Sequence, residues 1–226
     1  ISALQILKQN KTTIPKGITR DYPKYEVRGF MLDVGRKSFD FNTVKEFAKN
    51  MAWYKMNNFH LHLSDNLIFL EDYPTMQDAI DNAYAGFRLE SDIENLTSED
   101  TFYTKDEFRS FIKDSRNMGV NIIPEFDMPA HALAITRAFP NLMTKEAGGN
   151  HRYLIEELDI RKDGALDAAK SVWAQYFEGD DPVFDKDTTV HIGTDEFHGN
   201  GGNEYFRSFS DSMIKYIQGT GRDVRM

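Results

Sequence analysis

Apolar residues along this chain fall into short runs rich in Val, Ile and Phe, and between those runs they recur at helical spacing. Residues 27–34 read as a first strand, and Val44, Phe47, Ala48, Met51 and Ala52 then mark one face of a helix. Residues 58–63 form a second strand. After a long polar insertion, Thr104-Lys105-Asp106-Glu107 supplies capping-box residues for a helix carrying Phe108, Phe111, Ile112 and Met118, which Gly119 ends. A third strand is predicted at 120–126, a helix at about 167–177 and a fourth strand at 188–193. A further helix, 204–218, leads into a fifth strand beginning at Arg222.

Strands alternating with helices imply parallel pairing through right-handed crossovers, which leaves an open doubly wound sheet or a (β/α)8 TIM barrel. The turn after the first strand, Gly35-Arg36-Lys37-Ser38, lacks the further glycines that would let a pyrophosphate approach a helix N-terminus. Polar chemistry instead recurs where each strand ends: Asp33, then His62 with Asp65, then Glu125 with Asp127 and His131, then Asp195 with Glu196. Barrel enzymes gather their catalytic groups at that end of the strands. The expectation is therefore an α/β chain, a TIM barrel truncated to about its first four to five βα units.

Composition narrows the partners. A net charge of -9, with 27 basic residues scattered among 36 acids, provides no basic face for nucleic acid. No apolar run is long enough for membrane insertion, and the absence of cysteine removes both disulfides and a thiolate nucleophile. Within the fourth strand region, Thr188-Thr189-Val190-His191-Ile192-Gly193-Thr194-Asp195-Glu196 ends an apolar run in two adjacent carboxylates, followed by the turn-rich 198–202. His60 and His62 lie two apart on one strand face, which is also a metal-ligand spacing.

Four segments carry a family resemblance: Arg28-Gly29-Phe30-Met31-Leu32-Asp33-Val34-Gly35-Arg36, Lys55-Met56-Asn57-Asn58-Phe59-His60-Leu61-His62-Leu63-Ser64-Asp65, Pro124-Glu125-Phe126-Asp127-Met128-Pro129-Ala130-His131 and His191-Ile192-Gly193-Thr194-Asp195-Glu196. In this order they resemble the motifs of glycoside hydrolase family 20, the β-N-acetylhexosaminidases and lacto-N-biosidases. The resemblance implies residues 1–20 as the tail of a preceding small α+β domain with its linker, and 21–226 as the N-terminal half of a catalytic barrel. It implies a retaining, exo-acting hydrolase of glycans with a terminal N-acetylhexosamine, which uses the substrate's acetamido group as nucleophile and needs no cofactor or metal. By resemblance Glu196 is the acid and then the base, Asp195 orients the acetamido group, His131 links Asp65 to Glu196, and Arg28 binds sugar hydroxyls. Glu196 is expected to be buried beside its neighbouring anion. After Asp65 the chain reads Asn66-Leu67-Ile68-Phe69, where family members commonly carry Asp-Asp-Gln and then Trp-Arg.

Other readings remain open. A lacto-N-biosidase would release a disaccharide by the same mechanism, and the insertion at 67–101 sits where it could shape either pocket. Metal-dependent amidohydrolases also carry a His-x-His pair, although at the first strand of their barrels. From a different class, the chain could be a non-catalytic barrel fragment that binds sugar or a partner. A chain of 226 residues holding four complete strands cannot close a barrel of about 250 residues, so the isolated chain is expected to be inactive and to self-associate through its open sheet. The longer parent is expected to be secreted or at the cell surface.

Overall fold

The computed structural model describes residues 1–10, 13–67, 72–145, 154–198 and 202–226. Its elements are α1 (Ser2–Asn10), β1 (Gly29–Asp33), α2 (Phe41–Trp53), β2 (Asn58–His62), β3 (Ser64–Leu67), α3 (Met76–Asn82), β4 (Tyr84–Phe87), α4 (Lys105–Asn117), β5 (Asn121–Glu125), α5 (Leu133–Ala138), α6 (Ala165–Phe177), β6 (Val190–His191), α7 (Gly202–Gly219) and β7 (Val224–Arg225). A five-stranded sheet runs β1-β2-β5-β6-β7, every neighbouring pair parallel, and the strands predicted from sequence are its members. Strands β3, at the entry to the insertion, and β4, within it, form a separate antiparallel pair that no hydrophobic periodicity predicts. Residues 68–71 of that insertion and 199–201 of the turn-rich segment lie outside the described residues. Among the described residues no helix is long and apolar enough to cross a membrane.

Local chemistry accounts for the elements that frame the site. Thr104 caps α4 by accepting from the Glu107 N–H while Glu107 returns a bond to the Thr104 N–H, and Gly119, at φ +83°, ends the helix as expected. One face of α4 buries Phe108, Phe111 and Ile112. Across the core, Phe126 packs against Phe87, Trp173 and Tyr176 at ring-centroid distances of 4.6, 4.7 and 5.3 Å. Parallel register places Asp33, His62, Glu125, His191 and Arg225 in one row across the sheet. Because side chains alternate, that row shares a face with His60, while Phe59, Leu61, Ile122 and Val190 point to the other, fully packed face.

The turn after β1 is pressed onto the β3–β4 pair. A Cβ on Gly35 would come within 2.8 Å of the Asp65 backbone N, and one on Gly86 within 2.2 Å of the Gly35 carbonyl oxygen, so only glycine permits the approach. Arg88, fully buried, fastens the junction by donating to the carbonyls of Val34 at 2.8 Å, Gly35 at 3.1 Å and Thr101 at 2.9 Å, and pairing with Asp100. Arg36 is thereby delivered to Asp65.

Candidate active site

The row of polar side chains opens into a cleft of about 410 Å³ lined by Met31, Asp33, Arg36, His60, His62, Asp65, Glu125, Asp127, His131, His191, Asp195 and Met226. It sits at the C-terminal ends of the parallel strands, as a barrel site should. A larger cleft, about 540 Å³, lies between α3, β4 and residues 95–100 and gathers no comparable set of acids and imidazoles.

Asp195 and Glu196 stand on a turn with unusual backbone. Gly193, Thr194 and Glu196 have φ values of +66°, +87° and +45°, so the chain leaves the strand geometry in which neighbouring side chains point to opposite faces. Such conformations cost energy and persist only where the surroundings hold them. Here Asp127 does the holding: its Oδ1 accepts the Thr194 N–H at 2.7 Å, and a Cβ on Gly193 would lie 1.8 Å from that oxygen. On the far side of the turn, Glu157 accepts the His198 N–H at 2.9 Å.

A chain of contacts runs from this turn to β2. His131, itself at φ +53°, lies with Nε2 3.4 Å from Glu196 and Nδ1 3.1 Å from Asp65 Oδ1. Asp65 Oδ1 also accepts the Asn66 N–H at 2.7 Å, while its Oδ2 takes His62 Nε2 at 2.6 Å and Arg36 at 2.8 Å. Beneath it, Glu125 receives His62 at 2.5 Å, His60 at 2.8 Å and His191 at 2.9 Å. Three of the four residues expected to act in catalysis, Asp65, His131 and Glu196, are thus linked, and the fourth, Asp195, lines the same cleft.

Burial and the partners that oppose it set the charge states. Burial opposes the charge on His62, but hydrogen bonds to Asp65 and Glu125 and their negative charges prevail and raise its pKa to about 10. Burial likewise works against ionised Asp65, yet the bonds from His131 and His62 hold its pKa down to about 2. Glu125 is buried too, but its three imidazoles keep it well below the ordinary carboxylate range. The bond to Asp65, opposed by burial, raises His131. Asp127 goes the other way: burial, then the charge of Glu125, push it up to about 7, and its Oδ2 is buried with no hydrogen-bond partner among the described residues.

Two expectations are not met by this geometry. Glu196, expected to be buried, has a side chain 65% exposed. Arg28 is not brought to the cleft: it precedes β1, and its guanidinium donates to the carbonyls of Lys55, Tyr25 and Glu26. It lies five positions before Asp33, a rise of roughly 16 Å along a strand. The arginine in the cleft is Arg36, which sequence reading passed over although it follows the strand end marked by Asp33. The hub role of Glu125 and the part played by His191 were also missed. Donor atoms of His60, Glu125 and His191 all lie within 4.8 Å of one another, close enough to chelate a cation, and both imidazoles contact the Glu125 carboxylate directly.

Comparison with known proteins agrees with the motif reading. The model of the glycosyl hydrolase family 20 catalytic domain matches residues 25–216. A beta-hexosaminidase of Akkermansia muciniphila is 32% identical over 153 residues, 63% of this chain and 30% of that protein. A lacto-N-biosidase of Bifidobacterium bifidum is 24% identical over 248 aligned positions, which take in 100% of this chain and 20% of that protein. Among solved structures, beta-N-acetylhexosaminidase from Bacteroides fragilis NCTC 9343 is similar with a TM-score of 0.66 and 25% identity, over 90% of this chain and 41% of that one. The chain therefore spans less than half the length of each of these relatives.

Proposed function

This chain belongs to glycosyl hydrolase family 20, and from that premise we propose that it supplies the acid and nucleophile-orienting half of a retaining, exo-acting β-N-acetylhexosaminidase. The observation that carries this reading is the strained turn presenting Asp195 and Glu196 beside the His131–Asp65 pair. In the first step Glu196 gives a proton to the glycosidic oxygen as the substrate's acetamido carbonyl oxygen attacks the anomeric carbon. Asp195 accepts the acetamido N–H, aims that oxygen and balances the positive charge of the oxazolinium intermediate. In the second step Glu196 takes a proton from water, which opens the ring with the starting anomeric configuration. Arg36, with its fork of donors at the cleft, takes the sugar-hydroxyl role expected of Arg28.

The test is a polypeptide carrying this chain, assayed on nitrophenyl N-acetyl-β-glucosaminide and on the matching glucoside without an acetamido group. The reading expects turnover of the first alone, retention at the anomeric carbon and loss on Asp195→Ala. Equal turnover of both sugars, or an inverted product, refutes it. A second reading, lacto-N-biosidase, is favoured by an alignment that takes in the whole chain, insertion included. Nitrophenyl lacto-N-bioside in the same assay separates the two.

Residues 1–20 are proposed to belong to a unit preceding the catalytic domain, in keeping with a family match that begins at residue 25. The sheet has β1 and β7 at its edges, with Met31 and Phe30 52% and 43% exposed. The isolated chain is accordingly proposed to self-associate and to turn over no substrate; a monodisperse monomer in sedimentation, or turnover abolished by Asp195→Ala, contradicts this. A glycan substrate also suits a secreted or surface-bound parent.

A further inference from the structure

Beneath the carboxylates of the cleft lies a buried ion cluster that the proposed steps do not use. His62, Glu125 and Asp65 are 7%, 4% and 2% exposed. His62 directs Nδ1 at Glu125, 2.5 Å away, and Nε2 at Asp65, 2.6 Å away. An ionised carboxylate can only accept, so a ring with both nitrogens on carboxylates must donate from both, and only the imidazolium does so. Carboxyl, guanidinium and imidazole groups surround it from every neighbouring element. Asp33 and Arg36 come from β1 and its turn, His60 from β2 itself, Asp65 from β3, Glu125 and Asp127 from β5 and the loop after it, His131 from the approach to α5, and His191 from β6. Among the described residues Asp65 meets four donors: the Asn66 N–H and His131 on Oδ1, His62 and Arg36 on Oδ2.

We infer that the buried His62–Glu125 pair is the positioning unit of this site: His62, held as an imidazolium between two carboxylates, fixes the orientation of Asp65 and sets the pH at which His131 changes protonation. The inference rests on the proposed roles of His131 and Glu196 for its link to catalysis, but its physical content does not. Asp65 attracts a proton to His131, and the cation on His62 offsets part of that attraction. Without that cation, Asp65 faces His131 with Arg36 as its other positive partner, and His131 holds its proton to higher pH. Glu125 acts one step back, by keeping His62 charged.

Imidazole nitrogen and carbon NMR shifts of the isotope-labelled chain, followed from pH 5 to 9, test this without any turnover. In the wild-type chain His62 is expected to show imidazolium shifts throughout, while His131 titrates. His62→Gln is expected to raise the His131 midpoint by roughly one pH unit, and Glu125→Gln to bring the titration of His62 into the measured range. In a polypeptide that hydrolyses nitrophenyl N-acetyl-β-glucosaminide, the pH limb governed by His131 should move in the same direction in His62→Gln. A His62 that is mainly neutral between pH 5 and 8 in the wild-type chain overturns the inference, with no variant needed. So does a His131 midpoint unmoved in folded His62→Gln. Stoichiometric zinc shifting His60 and His191 together also overturns it, by making the cluster a metal centre. Absence of hydrolysis with the expected NMR result would instead refute the proposed function and leave the cluster as described.

Discussion

The two faces of the same five-stranded sheet are buried by opposite means. One face carries Phe59, Leu61, Ile122 and Val190, each no more than 3% exposed, and is stabilised by removal of apolar surface from water. The other, one residue out of step on the same strands, carries His62 and Glu125, buried as a hydrogen-bonded pair, with the half-buried His60 and His191 rings set against the same carboxylate. A buried ion pair adds little over a well-packed apolar pair, yet losing one member leaves an uncompensated charge. The apolar face specifies the fold, and the polar face holds chemistry that the fold alone does not require.

That contrast can be broken at several points. Leu61→Ala, on the apolar face, should cost about 2–5 kcal/mol of stability, by an amount that stays constant between pH 5 and 8 in urea unfolding. A pH-dependent loss would mean that the two faces are coupled. Gly193→Ala should cost roughly 1–3 kcal/mol, because the added methyl meets Asp127 and the backbone sits at φ +66°. A variant as stable as the wild type would show that the turn has room to relax.

Asp127 sharpens the comparison through pH. Its pKa in the folded chain, about 7, lies above the ordinary value of 3.8. The folded state therefore keeps a proton that the unfolded chain releases, and this carboxyl makes stability fall as pH rises from about 4 to 7. Asp127→Asn keeps an oxygen for the Thr194 N–H and has no proton to lose, so its stability should fall less over that window. Parallel stability curves for the two proteins would contradict the assignment. The smallest effect is expected for Arg28→Lys, which should lose about 1 kcal/mol of stability through its carbonyl bonds and leave KM unchanged, whereas Arg36→Lys should raise KM. The reverse pattern would restore Arg28 to the sugar.

The sheet was legible in the sequence because its strands are short apolar runs, and the α4 cap because Thr104 and Glu107 stand at the required spacing. Strands β3 and β4 were not, since their residues are partly polar and pair Ser64 with Phe87 and Leu67 with Tyr84 across a gap that no periodicity marks. Asp65, His131, Asp195 and Glu196 are marked by motifs at strand ends, and the fold brings the first three to one cleft with Glu196 beside His131. The Glu125 hub was missed because it depends on lateral register, His62 beside Glu125 beside His191, which exists only once the strands pair. Arg36 did leave a signal: it follows Asp33 at the end of β1, where the other polar groups of the cleft had been recognised.

The central claim is that Glu196, on its strained turn against His131, is the proton donor to the leaving group. Glu196→Gln in a polypeptide that carries this chain and hydrolyses N-acetylglucosaminides tests it most directly, by comparing turnover of an alkyl glycoside with that of an activated aryl glycoside. Turnover of the alkyl substrate, whose leaving group needs a proton, should fall roughly 100- to 10,000-fold, and that of the aryl substrate far less. Equal losses on the two substrates would contradict the account.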